Sequence, residues 1–350
     1  MMKINETPYR TSRNYGINNL KIEDDQICKK LHPFSNFCVK NAQNYKIPKV
    51  LDLTTDVFMS GDLQKQIEGK GKVFAFQFEK DTEEPMTLGF NFDDKNTTLV
   101  ETILIVAKVG VHAQVIISLN GDFDAYHNGL IKCVCEENSK LDIAVMFNNE
   151  RMRNFVVFEN ILKTNAIVNY SIIDFAGKIS AQNFHTSLEG ENAECKLNSL
   201  YFGEENSVLD LNYHQEIFGQ NCYAKIEAVG ALQDEAQKNF KGTINFQKGC
   251  KKSVGEENEN CLMLSKTAKA KTLPMLLCGE EDVDGKHSAS VGKIDEKALF
   301  YIMSRGLSRE EALSLAVKAK FGAMINELFD DELKEKILKK LEERLKNEKC

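Results

Sequence analysis

Thiols, imidazoles and carboxylates are the groups here that could do chemistry. Ten cysteines (28, 38, 133, 135, 195, 222, 250, 261, 278 and 350) and six histidines are spread over 350 residues. Thiolate and imidazole both ligate iron and zinc, and thiolate also carries sulfane sulfur. No C-x-x-C pair occurs, so neither a zinc ribbon nor a thioredoxin-type redox pair is expected. Glu259 and Cys261 stand two residues apart, so on a strand they share one face. His287 lies in a stretch of small residues, G-K-H-S-A-S-V-G, that reads as a turn leading into a helix. Cys278 closes the Leu276-Leu277 run and is a second sulfur candidate; Cys222 and Cys250 are weaker ones. Each has a plainer reading. A histidine in a polar turn is usually solvated, and a cysteine beside an apolar run is usually core. Cys133 and Cys135 read as two small residues facing one core.

Other chemistries find no support. From Gly279 to Lys286 the chain faintly resembles a phosphate loop, but the gap is one residue too long and His287 stands where Ser or Thr would hold magnesium, so no ATP binding is expected. No H-E-x-x-H, G-x-S-x-G or dinucleotide fingerprint is present. Glu280, Glu281 and Asp282 form a carboxylate cluster of the kind a carbohydrate-active solenoid could use, and they read as a solvated acidic loop. The net charge is −7, which argues against nucleic acid or an anionic membrane as general partner. No apolar run is long enough to span a bilayer, and MMKINETPYRTSRNYG has no secretory h-region. The thiols are therefore expected to be reduced and the chain cytoplasmic.

Three stretches must position these residues. Residues 1–48 are polar and mixed, with a short helix expected near Ile22–Leu31. Residues 49–294 carry short apolar runs rich in Val, Ile and Phe: Leu99–Val109, Ala113–Leu119, Leu130–Val134, Leu141–Phe147, Phe155–Phe158, Ala166–Phe175, Leu197–Phe202 and Ala224–Val229. Turn signals, Asn120-Gly121 and Asn128-Gly129 among them, are read between the runs. The pattern suits a sandwich, a barrel or a β-solenoid. Residues 295–350 turn helical. Asp295 is placed to cap a helix that Gly306 ends, Ser308 and Glu311 form a capping box for the next, and Asp330 or Asp331 caps the last.

The stretch from Gly279 to Gly306 resembles the end of the core domain of the SufB/SufD family, scaffold proteins of iron–sulfur cluster assembly. The SufD-like form there reads DDV, a linker, H-G-A-T-V-G, then L-F-Y-L-x-S-R-G. Here it is matched by Glu281-Asp282-Val283, His287-Ser288-Ala289-Ser290-Val291-Gly292 and Leu299-Phe300-Tyr301-Ile302-Met303-Ser304-Arg305-Gly306. Upstream, Glu189–Ala193, Asp210–Tyr213, Asn258–Ser265 and Pro274 follow the same order, so the match extends from about Glu189 to Lys320. Asn5–Ser12 looks like the opening of short stand-alone members.

The resemblance implies a right-handed parallel β-helix core followed by a C-terminal helical domain, which is expected to cover one end of the solenoid. It implies a non-ATPase scaffold that works with the ABC-type ATPase SufC and a cysteine desulfurase as sulfur donor, and that builds a transient iron–sulfur cluster at a subunit interface. His287 falls on the SufD histidine that contributes to the nascent cluster. Glu259 falls on the position of the contributing SufB cysteine, with Cys261 two residues later, which is a departure from the family pattern. SufC docking is implied for the helical region, through Leu299, Phe300, Tyr301, Arg305 and Gly306 and, on the next helix, Ala312 and Phe321. The partner scaffold is a second copy or another SufB/SufD-type chain. A subunit of the same complex without ligands of its own is the competing expectation.

Overall fold

A computed structural model of the chain describes residues 2–8, 16–41, 45–47, 53, 55, 57 and 60–346. Tyr9 to Ser12 of the opening motif, the expected 48/49 boundary and Cys350 lie outside them. Four short strands come first: β1 (Met2–Ile4) pairs with β2 (Leu20–Ile22), and β3 (Phe37–Lys40) and β4 (Tyr45–Lys46) each join the end of one of two larger sheets; helix α1 spans Gly61–Lys70.

The rest of the core is a parallel β-solenoid. One sheet holds β5 (Lys72–Phe78), β7 (Thr98–Ala107), β9 (Ala125–Cys135), β11 (Met152–Leu162), β13 (Ile179–Leu188), β15 (Val208–Ile217), β17 (Gln237–Phe246) and β19 (Lys269–Cys278). The other holds β6 (Met86–Asn91), β8 (His112–Asn120), β10 (Lys140–Asn148), β12 (Ile167–Phe175), β14 (Glu194–Gly203), β16 (Tyr223–Leu232), β18 (Ser253–Met263) and β20 (Val283–Lys293). We call these the odd and even sheets. Each odd–even pair is one coil, and coils stack in register: Lys140, Ile167, Glu194, Tyr223, Val254 and Asp284 align, in steps of 27, 27, 29, 31 and 30 residues.

Alternation explains the packing. Along each strand every second side chain enters the space between the sheets. There Phe158, Tyr170, Phe184, Tyr213 and Phe240 form a continuous edge-on aromatic ladder with centroids 5.1–6.1 Å apart. Burying each such ring contributes about 2 kcal/mol. One row of turns is built on asparagine. Asn138, Asn165, Asn192 and Asn221 all take positive φ, which asparagine tolerates better than most residues. Asn165 donates to Asn138 and Asn192 to Asn165, each at 2.9 Å.

The two outer faces are covered differently from the two ends. Ile4, Ile22, Ile27 and Leu63 pack on Tyr126, Phe155 and Ile179 of the odd sheet. Helices α3 (Arg309–Asn326) and α4 (Asp331–Lys346) lay Val317, Phe321, Ile325, Ile337 and Leu341 on Met146, Ile173, Leu200 and Val229 of the even sheet. The helical tail therefore lies along a face rather than over an end, because the outer surface of the even sheet is apolar and takes up the apolar stripes of both helices. Helix α2 (Glu296–Met303) and the start of α3 share a small separate core around Leu299, Ala312 and Leu313. The first coil is closed by β3, β4 and the aromatic group Phe34, Phe37, Phe74, Phe90 and Phe92. At the other end β19 and β20 each have a neighbour on one side only among the described residues.

Three local expectations are corrected. Ile22–Leu31 holds only a single 3-10 turn, Asp24–Gln26. Asn128-Gly129 lies inside β9 and makes no turn; a Cβ at Gly129 would stand 2.3 Å from Glu101 Oε1 and 2.7 Å from His127 Nε2, so the glycine makes room for an interior polar pair. His287 lies inside the eleven-residue strand β20, not in a turn. The caps are as expected: Asp295 accepts from Lys297 N, Ser308 and Glu311 form their box, and Asp330 accepts from Leu333 N.

Candidate functional site

His287 stands in the last strand of the even sheet, in register with Glu257 of β18. Ala289 is likewise paired with Glu259, and Val291 with Cys261. In-register residues of parallel strands project to the same side. His287 thus shares a face with Glu257, Glu259 and Cys261, one strand closer to the open end. Residues 284–291 of β20 are exposed or half-exposed throughout, whereas the three β18 residues are buried.

Below this surface lies a closed polar cluster. Lys238 Nζ donates to Glu259 Oε1 at 2.6 Å and to Thr272 Oγ1 at 3.0 Å; Thr272 donates to Glu259 Oε2 at 3.1 Å, and Tyr201 OH to Oε1 at 2.5 Å. Both members of the Lys238–Glu259 pair are fully buried. Glu259 is therefore occupied as a charge partner. Cys261, only 4% exposed, sits beside it; burial pushes its thiol up, against the opposing pull of Lys238, so it rests as a thiol. The structure brings Glu259 and Cys261 together on one face, under β20.

Sequence reasoning missed Glu257. It is fully buried, neither carboxyl oxygen makes a well-formed hydrogen bond, and burial pushes its pKa up to about 8, with the Met275 backbone giving only partial relief. Gly242 provides its space: a Cβ there would stand 1.9 Å from Glu257 Oε1. The E-x-E-x-C alternation of Glu257, Glu259 and Cys261 was the available signal. A second interior polar line also went unread. Glu101 contacts His127 at 2.8 Å, His127 contacts Asn154 at 2.6 Å, Asn154 donates to Ser180, and Ser180 and Gln182 both donate to Asp174. Burial alone would lower the pKa of His127, but Glu101 outweighs it and holds the imidazole above its ordinary value.

The other singled-out residues lie apart. Cys278 is exposed at the end of β19. Cys222 is buried, with a raised pKa, in the turn before β16. Glu280 accepts from the backbone of Gly249 and of Glu281 at 3.0 Å each, so the acidic loop ties a turn. In the helical region Leu299, Ala312 and Phe321 are buried within the chain, whereas Phe300 is 73% and Tyr301 59% exposed. Arg305 lies over the Tyr301 ring at 5.1 Å and donates to its hydroxyl at 2.9 Å. No helix is long and apolar enough to cross a membrane, among the described residues.

Comparison with known proteins agrees with this architecture. The family model described as "SUF system FeS cluster assembly, SufBD core domain" matches residues 90–320. The chain is 28% identical to the iron–sulfur cluster assembly protein SufD of Escherichia coli over 58% of its own length and 48% of that protein's. It is 34% identical to SufD of Bacillus subtilis over 37% of its length and 30% of the relative's. A SufBD family iron–sulfur cluster assembly protein of Pyrococcus horikoshii is 26% identical over 70% of this chain and 55% of its own length. The matches thus span about half or less of these three relatives. With the core-domain match covering about two thirds of the chain on a parallel β-solenoid, this protein belongs to the SufBD family of iron–sulfur cluster assembly proteins.

Proposed function

We propose that this chain is a scaffold subunit of a cytoplasmic SUF complex, which binds a SufC-type ATPase and builds a nascent iron–sulfur cluster where two SufBD-type chains meet. Iron and sulfide are its cargo, the sulfur coming from a cysteine desulfurase, and the ATPase supplies hydrolysis. The chain divides into an N-terminal segment (1–48), the solenoid (49–294) and an ATPase-docking helical domain (295–350). One observation supports this reading: among the described residues nothing pairs with the outer edges of the last coil, and His287 stands on its outermost strand. Free strand edges favour pairing with a further chain. Such pairing would enclose His287 together with the equivalent residues of a partner, giving the several ligands that iron needs and of which one chain offers too few at this spot.

The competing reading, a subunit without ligands of its own, draws on Glu259 being locked to Lys238 and on Cys261 being buried. Anaerobic cluster reconstitution in the presence of SufC separates the two. On the scaffold reading, His287→Ala lowers cluster yield severalfold while folding and ATPase binding stay intact, and Cys261→Ser does so only if sulfur passes through that thiol. Wild-type yield from both variants would favour the ligand-free subunit.

A further inference from the structure

On the outer face of the odd sheet, away from the open end, a row of polar side chains crosses the strands. Lys132, Glu159, His185, His214 and Thr243 stand in register on β9, β11, β13, β15 and β17. Glu216 lies two residues along β15 from His214 and so on the same face. The His185 and His214 rings are 5.0 Å apart at 84°, and Glu216 Oε2 is 3.6 Å from His185 Nε2. One donor atom from each of His185, His214 and Glu216 lies within 4.8 Å of the others.

Two features set this group apart from a surface ion pair. His214 Nε2 is buried without a hydrogen-bond partner, although buried polar atoms nearly always have one. Glu216 Oε1 is held by the side-chain amides of Asn245, at 3.0 Å, and Gln247, which leaves Oε2 directed at the imidazoles. Orienting contacts of this kind fix the carboxylates of metal centres.

We propose that His185, His214 and Glu216 bind one first-row divalent metal ion of the zinc or iron(II) class on the outer face of the odd sheet. Two imidazoles and a carboxylate suit ions of borderline softness, and three protein donors leave a position for water or a fourth ligand. An ion about 2.1 Å from each donor would draw them to about 3.4 Å of one another. Small side-chain rotations bring that about, since His185 and Glu216 are only partly buried, at 19% and 20% exposure. The site is separate from His287 and does not depend on the scaffold function.

Cobalt(II) is the probe. The full chain is stripped with a chelator, its accessible thiols are alkylated, and it is titrated anaerobically while visible absorption and thermal melting are followed. One Co(II) per chain is expected, with ligand-field bands of nitrogen and oxygen coordination, no thiolate charge transfer, displacement by Zn(II) and a raised Tm. Glu216→Gln should weaken binding at least tenfold, and His185→Ala/His214→Ala should abolish both the bands and the Tm rise. Circular dichroism of the unloaded variants shows whether they fold; if the double alanine variant does not, His185→Gln/Glu216→Gln takes its place. Unchanged binding in a folded double variant, no saturable binding by the wild type, or a thiolate spectrum would each overturn the proposal.

Discussion

Glu257 is a carboxyl group that the fold keeps protonated. Unfolded, it titrates near its ordinary 4.5; folded, at about 8, because burial disfavours the anion. Between those pH values the folded chain holds a proton that the unfolded chain has released, so stability falls as pH rises through the window. Glu257→Gln keeps the shape and removes the titration. Melting curves should show the variant's Tm close to wild type at pH 5 and clearly above it at pH 8.5, a gain on the order of a few kcal/mol. An equal difference at both pH values would mean that Glu257 is charged throughout. The neighbouring Glu259, unlike Glu257, has a buried partner: Lys238→Met removes it, and breaking a buried pair typically costs about 3–5 kcal/mol. The alternation of Glu257, Glu259 and Cys261 was visible in the sequence. Which of the three faces a lysine, and which faces nothing, depends on Lys238, Tyr201 and Thr272, which stacking brings in from 21, 58 and 13 residues away.

At the scale of elements, α2 is the clearest unpaired surface. Leu299 holds it to α3, while Phe300 and Tyr301 point outward and Arg305 stacks on the tyrosine. If this is the ATPase dock, Phe300→Asp/Tyr301→Glu should abolish co-elution with SufC and leave the Tm unchanged, whereas Leu299→Ala should lower the Tm by loosening α2. Retained co-elution in the first variant would move the dock elsewhere. The helices were legible because their signals are local: Asp295, Ser308 and Glu311, and Asp330 bond to backbone within their own first turns. The long strands were legible from apolar runs. Asn128-Gly129 was misread because its cause is distant. Asn128 donates to Leu63 O and to Gln66 of α1, and Gly129 makes space for Glu101 and His127. The position of the tail on the even sheet was equally hidden, since an apolar stripe on a helix does not say which surface it meets.

For the whole molecule, the difference between the two ends of the solenoid decides how it assembles. One end is sealed by antiparallel strands and aromatic rings; the other ends in β19 and β20, each paired on one side only among the described residues, with Val291 45% exposed. A parallel stack has no internal reason to stop at one coil rather than the next, so a bare last coil favours a further strand from another chain. Lysine on such an edge opposes pairing by charge and costs the fold little, because the positions are exposed. Ala289→Lys/Val291→Lys should therefore keep the Tm of the wild type and shift a self-paired protein from dimer to monomer, read by light scattering over a range of concentrations. If the wild type is monomeric alone but forms a one-to-one complex with a second SufBD-type chain, the same variant should block that complex instead, and the open end then serves a different partner. A wild type that stays monomeric with either partner, or a variant that pairs as well as the wild type, would place the interface elsewhere and take from His287 its route to a shared cluster.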